Sequence, residues 1–343
     1  MPKLQAFNEF NNIFDKKINM KKILGAGNAL VDIVTYIDDE KILEKFSLPK
    51  GSMQLVERNL SEKIRERTRN YKSTFSSGGS AANTIYGLAM LGIETGFIGS
   101  TGKDETGDFF ENDLRSAGVK TFLKKCNEPT GTALALVTPD SERTFATYLG
   151  AAVNLDPEDL NINLFHGYDY LYLEGYLIYN LNFVLKACSL ARSLNMKIAI
   201  DLASYNVVEE NLSSFKNVIE NYADIIFANA MEAKAFTGFG PEEALNVFSD
   251  ICEIAVVKTG SEGSMAKRGN ESVKIKAIPV ECRDTTGAGD LYASGFLYGI
   301  ARDETLEKCG QYGSYLAGKV IEITGARIEP AKWNEIKNDI DLM

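Results

Sequence analysis

The sequence predicts an α/β protein: a three-layer, doubly wound, mostly parallel sheet with a small β-sheet lid. Three observations predict it. Short apolar runs alternate with amphipathic runs of helical period from Lys21 almost to the C-terminus, the pattern of strands joined by crossover helices. Two intervals, 31–56 and 119–148, interrupt that rhythm with alternating, strand-like segments and turn residues. Length and composition agree, because 343 residues, 45% hydrophobic and 24% charged, suffice for a large core in an ordinary globular protein.

In chain order, Lys21-Lys22-Ile23-Leu24-Gly25 reads as a first strand entering a glycine turn. Helices are expected over 80–91 and 109–117, with a strand at 96–100 between them. The apolar run 170–173 predicts a strand, followed by a helix over 182–194, a strand at 197–201, a helix over 212–221 and a strand at 225–228. Helices over 231–236 and 242–251, strands at 254–258 and 264–268, and long helices over 289–300 and 305–323 complete the series. The runs 134–138 and 144–148 suggest a hairpin around Pro139-Asp140-Ser141-Glu142, all turn-compatible residues. The two strand-rich intervals are expected to pair into a lid that keeps water from the mouth of the main domain. Residues 1–19 are rich in Asn and Lys and lack periodicity, so they are expected to be a poorly ordered extension, with Met20 opening the folded domain over 20–343.

A net charge of −10 without a basic stripe argues against nucleic acid as the main ligand. No apolar run approaches the ~20 residues that span a bilayer, and no signal peptide is visible, so a cytoplasmic protein is expected. The five cysteines are scattered and form no C-x-x-C pair, which reads as reduced thiols rather than zinc ligands. His166, the single histidine, precedes an apolar strand and reads as a loop residue.

The densest chemical signal is Asp284-Thr285-Thr286-Gly287-Ala288-Gly289-Asp290, which leads into an amphipathic helix. Small residues at a helix start let first-turn N–H groups, which have no partners inside the helix, close on an anion. A carboxylate just behind them would repel that anion, and a general base beside a phosphoryl group gives it a reason to be there. In Ser77-Gly78-Gly79-Ser80-Ala81-Ala82-Asn83, paired glycines precede a helix and Asn83 offers an amide to a hydroxyl; a tight, closely packed loop would use the same residues. Gly27-Asn28-Ala29-Leu30-Val31-Asp32 suits two neighbouring sugar hydroxyls, or an Asn turn with a solvated carboxylate. Asn229 and Glu232 fit either a capping box or a water-ligated Mg²⁺. Lys258-Thr259-Gly260-Ser261-Glu262-Gly263 is a strand-ending turn of the kind that binds ligands in open sheets, or a simple hairpin. Arg143, on the expected lid, is either solvated or placed to clamp a transferred phosphate.

Taken together, and in this order along the chain, these motifs resemble the ribokinase-like (PfkB) family of carbohydrate and nucleoside kinases, most of all its bacterial adenosine kinase-like members. The heptapeptide 284–290 followed by Ser294 and Gly295, and Gly78-Gly79 with Asn83, Gly92, Gly102 and Gly107, carry the likeness; Ile85 stands where the family usually has a small residue. The resemblance implies a ribokinase-like fold and ATP- and Mg²⁺-dependent transfer of a γ-phosphate to a hydroxyl. It implies Asp290 as general base, Gly287, Ala288 and Gly289 as the anion hole, and Asn28, Asp32, Gly78, Gly79 and Asn83 around the acceptor. It further implies Asn229 and Glu232 governing Mg²⁺ and phosphate, and Thr259 and Gly260 near the nucleotide. Gly313 and Ala317 would flank adenine, and Asp284 and Thr286 would be among the ligands of a monovalent cation such as K⁺.

Within the family, Gly27–Asp32, Leu48-Pro49-Lys50-Gly51-Ser52-Met53 and Leu173-Glu174-Gly175-Tyr176-Leu177 look most like adenosine kinase-like members. A nucleoside, adenosine first, is therefore the expected acceptor, with ribose, fructose or another sugar as the alternative. Leu134, Leu136, Phe145, Tyr148 and Tyr176 are candidates for an apolar wall against a base, or for the lid's own core. A dinucleotide-binding dehydrogenase fits poorly, because Gly25-Ala26-Gly27-Asn28-Ala29-Leu30 lacks the third glycine. A catalytically silent ligand sensor of the same fold would have no need of Asp290 or the Asn229/Glu232 pair. The expected partners are ATP and the acceptor, bound to a monomer or homodimer.

Overall fold

The computed structural model describes residues 20–140 and 142–343; the extension expected over 1–19 lies outside the described residues. The strands are β1 (Ile23–Ala26), β2 (Leu30–Tyr36), β3 (Met53–Leu55), β4 (Ser73–Gly78), β5 (Thr95–Gly102), β6 (Lys120–Cys126) and β7 (Thr130–Val137). They continue with β8 (Arg143–Gly150), β9 (Tyr170–Glu174), β10 (Lys197–Asp201), β11 (Ile225–Asn229), β12 (Ile254–Lys258), β13 (Ser264–Arg268) and β14 (Glu271–Ile275). The large sheet runs β14-β13-β12-β11-β10-β9-β1-β5-β6, parallel except where β13 and β14 turn back.

Its strands are apolar on both faces because helices cover both. Along β11, Ile225 and Phe227 enter one core while Ile226 and Ala228 enter the other. Helices Ser80–Met90, Ala288–Ala301 and Leu306–Ile321 pack on the first face, and Leu181–Ser193, Leu212–Tyr222, Ala230–Thr237 and Pro241–Ser249 on the second. Ile85, the departure from the family pattern, is fully buried and fills the space over Gly25 of β1, where no side chain would fit. Among the described residues no helix is long and apolar enough to cross a membrane.

The small sheet has the order β3-β8-β7-β2-β4. The two irregular intervals interleave in it, β2 pairing with β7 and β3 with β8, both in parallel. Its boundaries differ from the expected 31–56 and 119–148 in two ways. β6 belongs to the edge of the large sheet, because the crossover helix Glu105–Ser116 returns the chain alongside β5. β4, a serine-rich segment with no apolar alternation, pairs with β2 instead. Alternation also sorts the candidate wall residues. Leu134 and Leu136 point into the core shared with Ile64, while Ala135 and Val137 lie on the opposite face with Val34 and Phe145. Tyr148 falls in the same parity as Ala146 of that core and bonds Glu128. Leu134, Leu136 and Tyr148 therefore belong to the small sheet's own outer packing; of the other two wall candidates, Phe145 lies on the opposite face and Tyr176, just past β9, is partly buried against the second core.

Candidate active site

Adjacent parallel strands end in, or lead into, a row of polar side chains: Lys258 of β12, Asn229 of β11, Asp201 of β10, Glu174 of β9, and Asn28 just beyond β1. Register sets Lys258 opposite Asn229 and Asp201 opposite Glu174. This is the carboxyl rim where open α/β sheets bind ligands.

Over the rim stands the start of helix Ala288–Ala301. Gly287 caps it in the left-handed region (φ 78°), where a side chain would strike Ala326. The Ala288 N–H turns back to the Thr285 carbonyl at 3.2 Å. Asp290, in the first turn, accepts from Ser80 Oγ at 2.7 Å and from Asn83 Nδ2 at 2.9 Å. Burial raises its pKa above the usual carboxylate range, against the opposing effect of the Asn83 and Ser80 hydrogen bonds. Asn83 Oδ1 is buried and has no partner.

The glycine pair brings two loops together. Gly79 has φ 98°, and a side chain there would collide with the Asn28 carbonyl; one at Gly78 would collide with the Asp32 carboxylate. Glu174 ties the same loops from below, accepting the Asn28 and Ala81 N–H groups at 2.8 Å each. Burial pushes Glu174 up to about 7, and burial likewise pushes Asp32 up to about 7, with Asp290 adding and Arg327 opposing. Asn28, Asp32, Gly78, Gly79, Asn83 and Asp290 are thus brought into one cluster. Arg327 sits beside it, over the Tyr86 ring at 3.7 Å and bonded to Ser77.

Asn229 and Glu232 form a complete capping box. Asn229 Oδ1 accepts the Met231 and Glu232 N–H groups at 2.9 Å, and Glu232 returns to the Asn229 N–H at 2.7 Å. Glu232 is nonetheless buried and pushed up to about 7, by burial first and then by Asp201. Among the described residues no group of three or more His, Cys, Asp or Glu is gathered for direct metal binding. The donor set suits a Mg²⁺ that keeps most of its waters and touches few carboxylates, with Glu232 and Asp201 the carboxylates at hand.

The monovalent-cation expectation falls on Asp284 and Thr286. Asp284 already accepts from Thr286 N at 3.0 Å and Thr286 Oγ1 at 2.8 Å, from the Gly325 N–H, and from the Arg143 guanidinium. Arg143 thus meets Asp284, one of the residues expected at a cation, just before the anion-hole glycines, while its own Nε is buried without a partner. Thr259 closes a turn onto the Gly263 carbonyl, and Gly260 lies exposed at that turn. A side chain at Gly313 would strike Tyr292 of helix Ala288–Ala301, and Ala317 is half-buried against the core.

Sequence reasoning passed over Asp201 and Arg327, quoted Lys258 only within the 258–263 turn without a role of its own, and quoted Glu174 only for its likeness. For Asp201 and Lys258 a signal was present, a charge ending an otherwise apolar strand. Arg327 offered none.

A family model described as pfkB family carbohydrate kinase matches residues 52–333. The chain is 34% identical to the structure of a probable sugar kinase from Rhizobium etli, TM-score 0.84, over 95% of this chain and all of that one. It is also 34% identical to the adenosine kinase of Sinorhizobium meliloti, TM-score 0.81, over 92% and 99% of the two chains. A 5-dehydro-2-deoxygluconokinase of Listeria monocytogenes is 32% identical over 72% of this chain and 82% of its own. With a strand-end rim, a glycine-capped helix and Asp290 at its first turn, the chain belongs to the pfkB family of carbohydrate kinases, phosphotransferases that act on a hydroxyl of a sugar or nucleoside.

Proposed function

We propose that the chain transfers the γ-phosphate of ATP to a hydroxyl of a nucleoside, adenosine first, with Asp290 as the general base. The observation that carries this is Asp290 itself: a half-buried carboxylate of raised pKa at a helix start beside Gly287, Ala288 and Gly289. Asp32 and the free Asn83 Oδ1 would accept the acceptor's hydroxyls, with Asn28, Gly78 and Gly79 shaping the loop against them. Mg²⁺, near Asn229, Glu232 and Asp201, would offset phosphate charge when bound. Thr259 and Gly260 border the nucleotide. A nucleoside is favoured over a simple sugar by the apolar strip Val34, Ala135, Val137 and Phe145 on the same face as Asp32. That strip offers a base the apolar contact a ribose alone does not need.

A sugar acceptor, ribose, fructose or an acidic sugar, is the second reading. Arg327 favours it, because its Nε and Nη1 are buried without partners beside Asp32. A coupled assay of ADP release across nucleosides and monosaccharides, with Asp290→Asn as control, tests both. Acceptor-dependent ADP with nucleosides alone supports the first reading, and with sugars alone the second. No acceptor-dependent ADP from the panel would leave a silent ligand-binding protein.

A further inference from the structure

Lys258 is the residue at this rim to which no role has been given. Its Nζ bonds Asp201 Oδ2 at 2.9 Å, and both side chains are nearly buried. A strand-ending lysine ordinarily runs its ammonium out to water. This one is held inside, and the site's carboxylates overcome the burial that would neutralise it. It also lies against the anion-hole loop: a Cβ added at Gly289 would have Lys258 Nζ as its neighbour, at 3.3 Å. Gly289 thereby leaves the ammonium room beside the first turn of helix Ala288–Ala301.

Two positive features share that corner, the ammonium and the helix N-terminus. Asp201, Glu232 and Asp290 offset the lysine's charge in the free chain, Asp290 from the helix's own first turn, yet the ammonium and the first-turn N–H groups converge on one corner. A phosphoryl oxygen held by the loop would compensate both. We propose that Lys258 is a catalytic residue that contacts the phosphoryl group as it is transferred. This role rests on the kinase reading above. In the step, the acceptor O–H gives its proton to Asp290 and the oxygen's electron pair forms the bond to the γ-phosphorus. The bond from that phosphorus to the β-phosphate oxygen breaks, and its pair leaves with ADP. Lys258 exchanges no proton; it offsets the charge spread over the transferring oxygens.

The test compares wild type, Lys258→Met, Lys258→Arg and the double variant Lys258→Met/Asp201→Asn, with the best acceptor from the panel. Lys258→Met is expected to lower kcat by about 10²–10³-fold, the loss typical of one transition-state donor, with the acceptor KM little changed. Its pH–rate profile should move toward higher pH on the acid side, because Asp290 loses a cation that lowers its pKa. The charged groups facing this corner are Asp201 from β10, Glu232 from helix Ala230–Thr237 and Asp290, with Asp32, Glu174 and Arg327 around Asp290. Lys258→Arg should recover part of kcat. Thermal melting separates a folding defect from a catalytic one, and the double variant removes the stranded Asp201 charge. Wild-type kcat in the double variant would overturn the proposal, since the lysine would then serve only to neutralise Asp201. So would an unchanged kcat and pH profile in Lys258→Met. A wild type inactive on every acceptor would remove the kinase reading and this role together, whereas an active wild type matched by Lys258→Met removes this role alone.

Discussion

The carboxyl rim of the large sheet and the inner face of the small sheet meet at one site, and they are built differently. On the rim, the parallel strands set five polar groups in a row, and three of them, Asn229, Asp201 and Glu174, are tied down twice or more. Glu174 holds two loop amides, and Asp201 holds the Ala203 N–H and Lys258. The inner face offers one carboxylate, Asp32, one guanidinium, Arg143, and an apolar strip between them, all placed by the two-residue alternation of β2, β7 and β8. The rim therefore suits chemistry that tolerates little movement. The inner face can change a side chain without disturbing the backbone, which is what a choice of acceptor requires.

That division can be broken at its strongest point first. Asp290→Asn should lower kcat by about 10²–10⁴-fold while calorimetry finds ATP binding nearly unchanged; normal turnover would remove Asp290 from the chemistry. Glu174→Gln comes next. An amide cannot accept from both the Asn28 and Ala81 N–H groups, so one buried donor is stranded, at a cost of about 1–3 kcal/mol in urea unfolding. The pH dependence has a defined sign. Glu174 holds its proton to about 7 in the folded chain, against an ordinary value of 4.5, so its contribution to stability is present in acid and is lost as pH rises through that range. Loss of that slope in Glu174→Gln checks the assignment.

Two smaller effects belong to the inner face. Asp32 is pushed up to about 7, so the acceptor KM should rise as pH falls below that value, by up to about tenfold per unit, while kcat at saturation follows Asp290. A KM that stays flat would mean that the charge on Asp32 is not what binds the hydroxyls. Phe145→Ala should cost nucleosides roughly tenfold in kcat/KM and ribose much less. Equal losses for both would remove the apolar strip from acceptor choice.

Much of the fold was legible because its signals are local. The strands at 197–201 and 254–258 have the expected limits, since a buried parallel strand is a short, mostly apolar run whatever surrounds it. Helix Glu105–Ser116 starts four residues before the expected 109, because Asp104 accepts the Gly107 N–H at 2.7 Å and caps it, a polar start that an apolar pattern overlooks. β4 escaped notice because it lacks the alternation that marks a strand, and pairing with β2 makes it one; β14 does alternate, Val273 and Ile275 against Ser272 and Lys274, and was overlooked because the run is short and mostly exposed. The same limit misled the choice of Leu134 and Leu136. An alternating run shows that a strand has two faces without saying which one meets the ligand.

By itself the sequence determined the alternation of strands and helices, the glycine turns, and the Gly287-Ala288-Gly289-Asp290 start of a helix. Each of these depends on residues within a few positions of one another. Only the tertiary structure decided which charge meets which. Asp290 finds Ser80 and Asn83 from more than 200 positions away, Arg143 takes Asp284, and Lys258 takes Asp201. The raised pKa values of Asp32, Glu174 and Asp290 were decided there too, because burial is the first cause of each and arises from distant segments packing together.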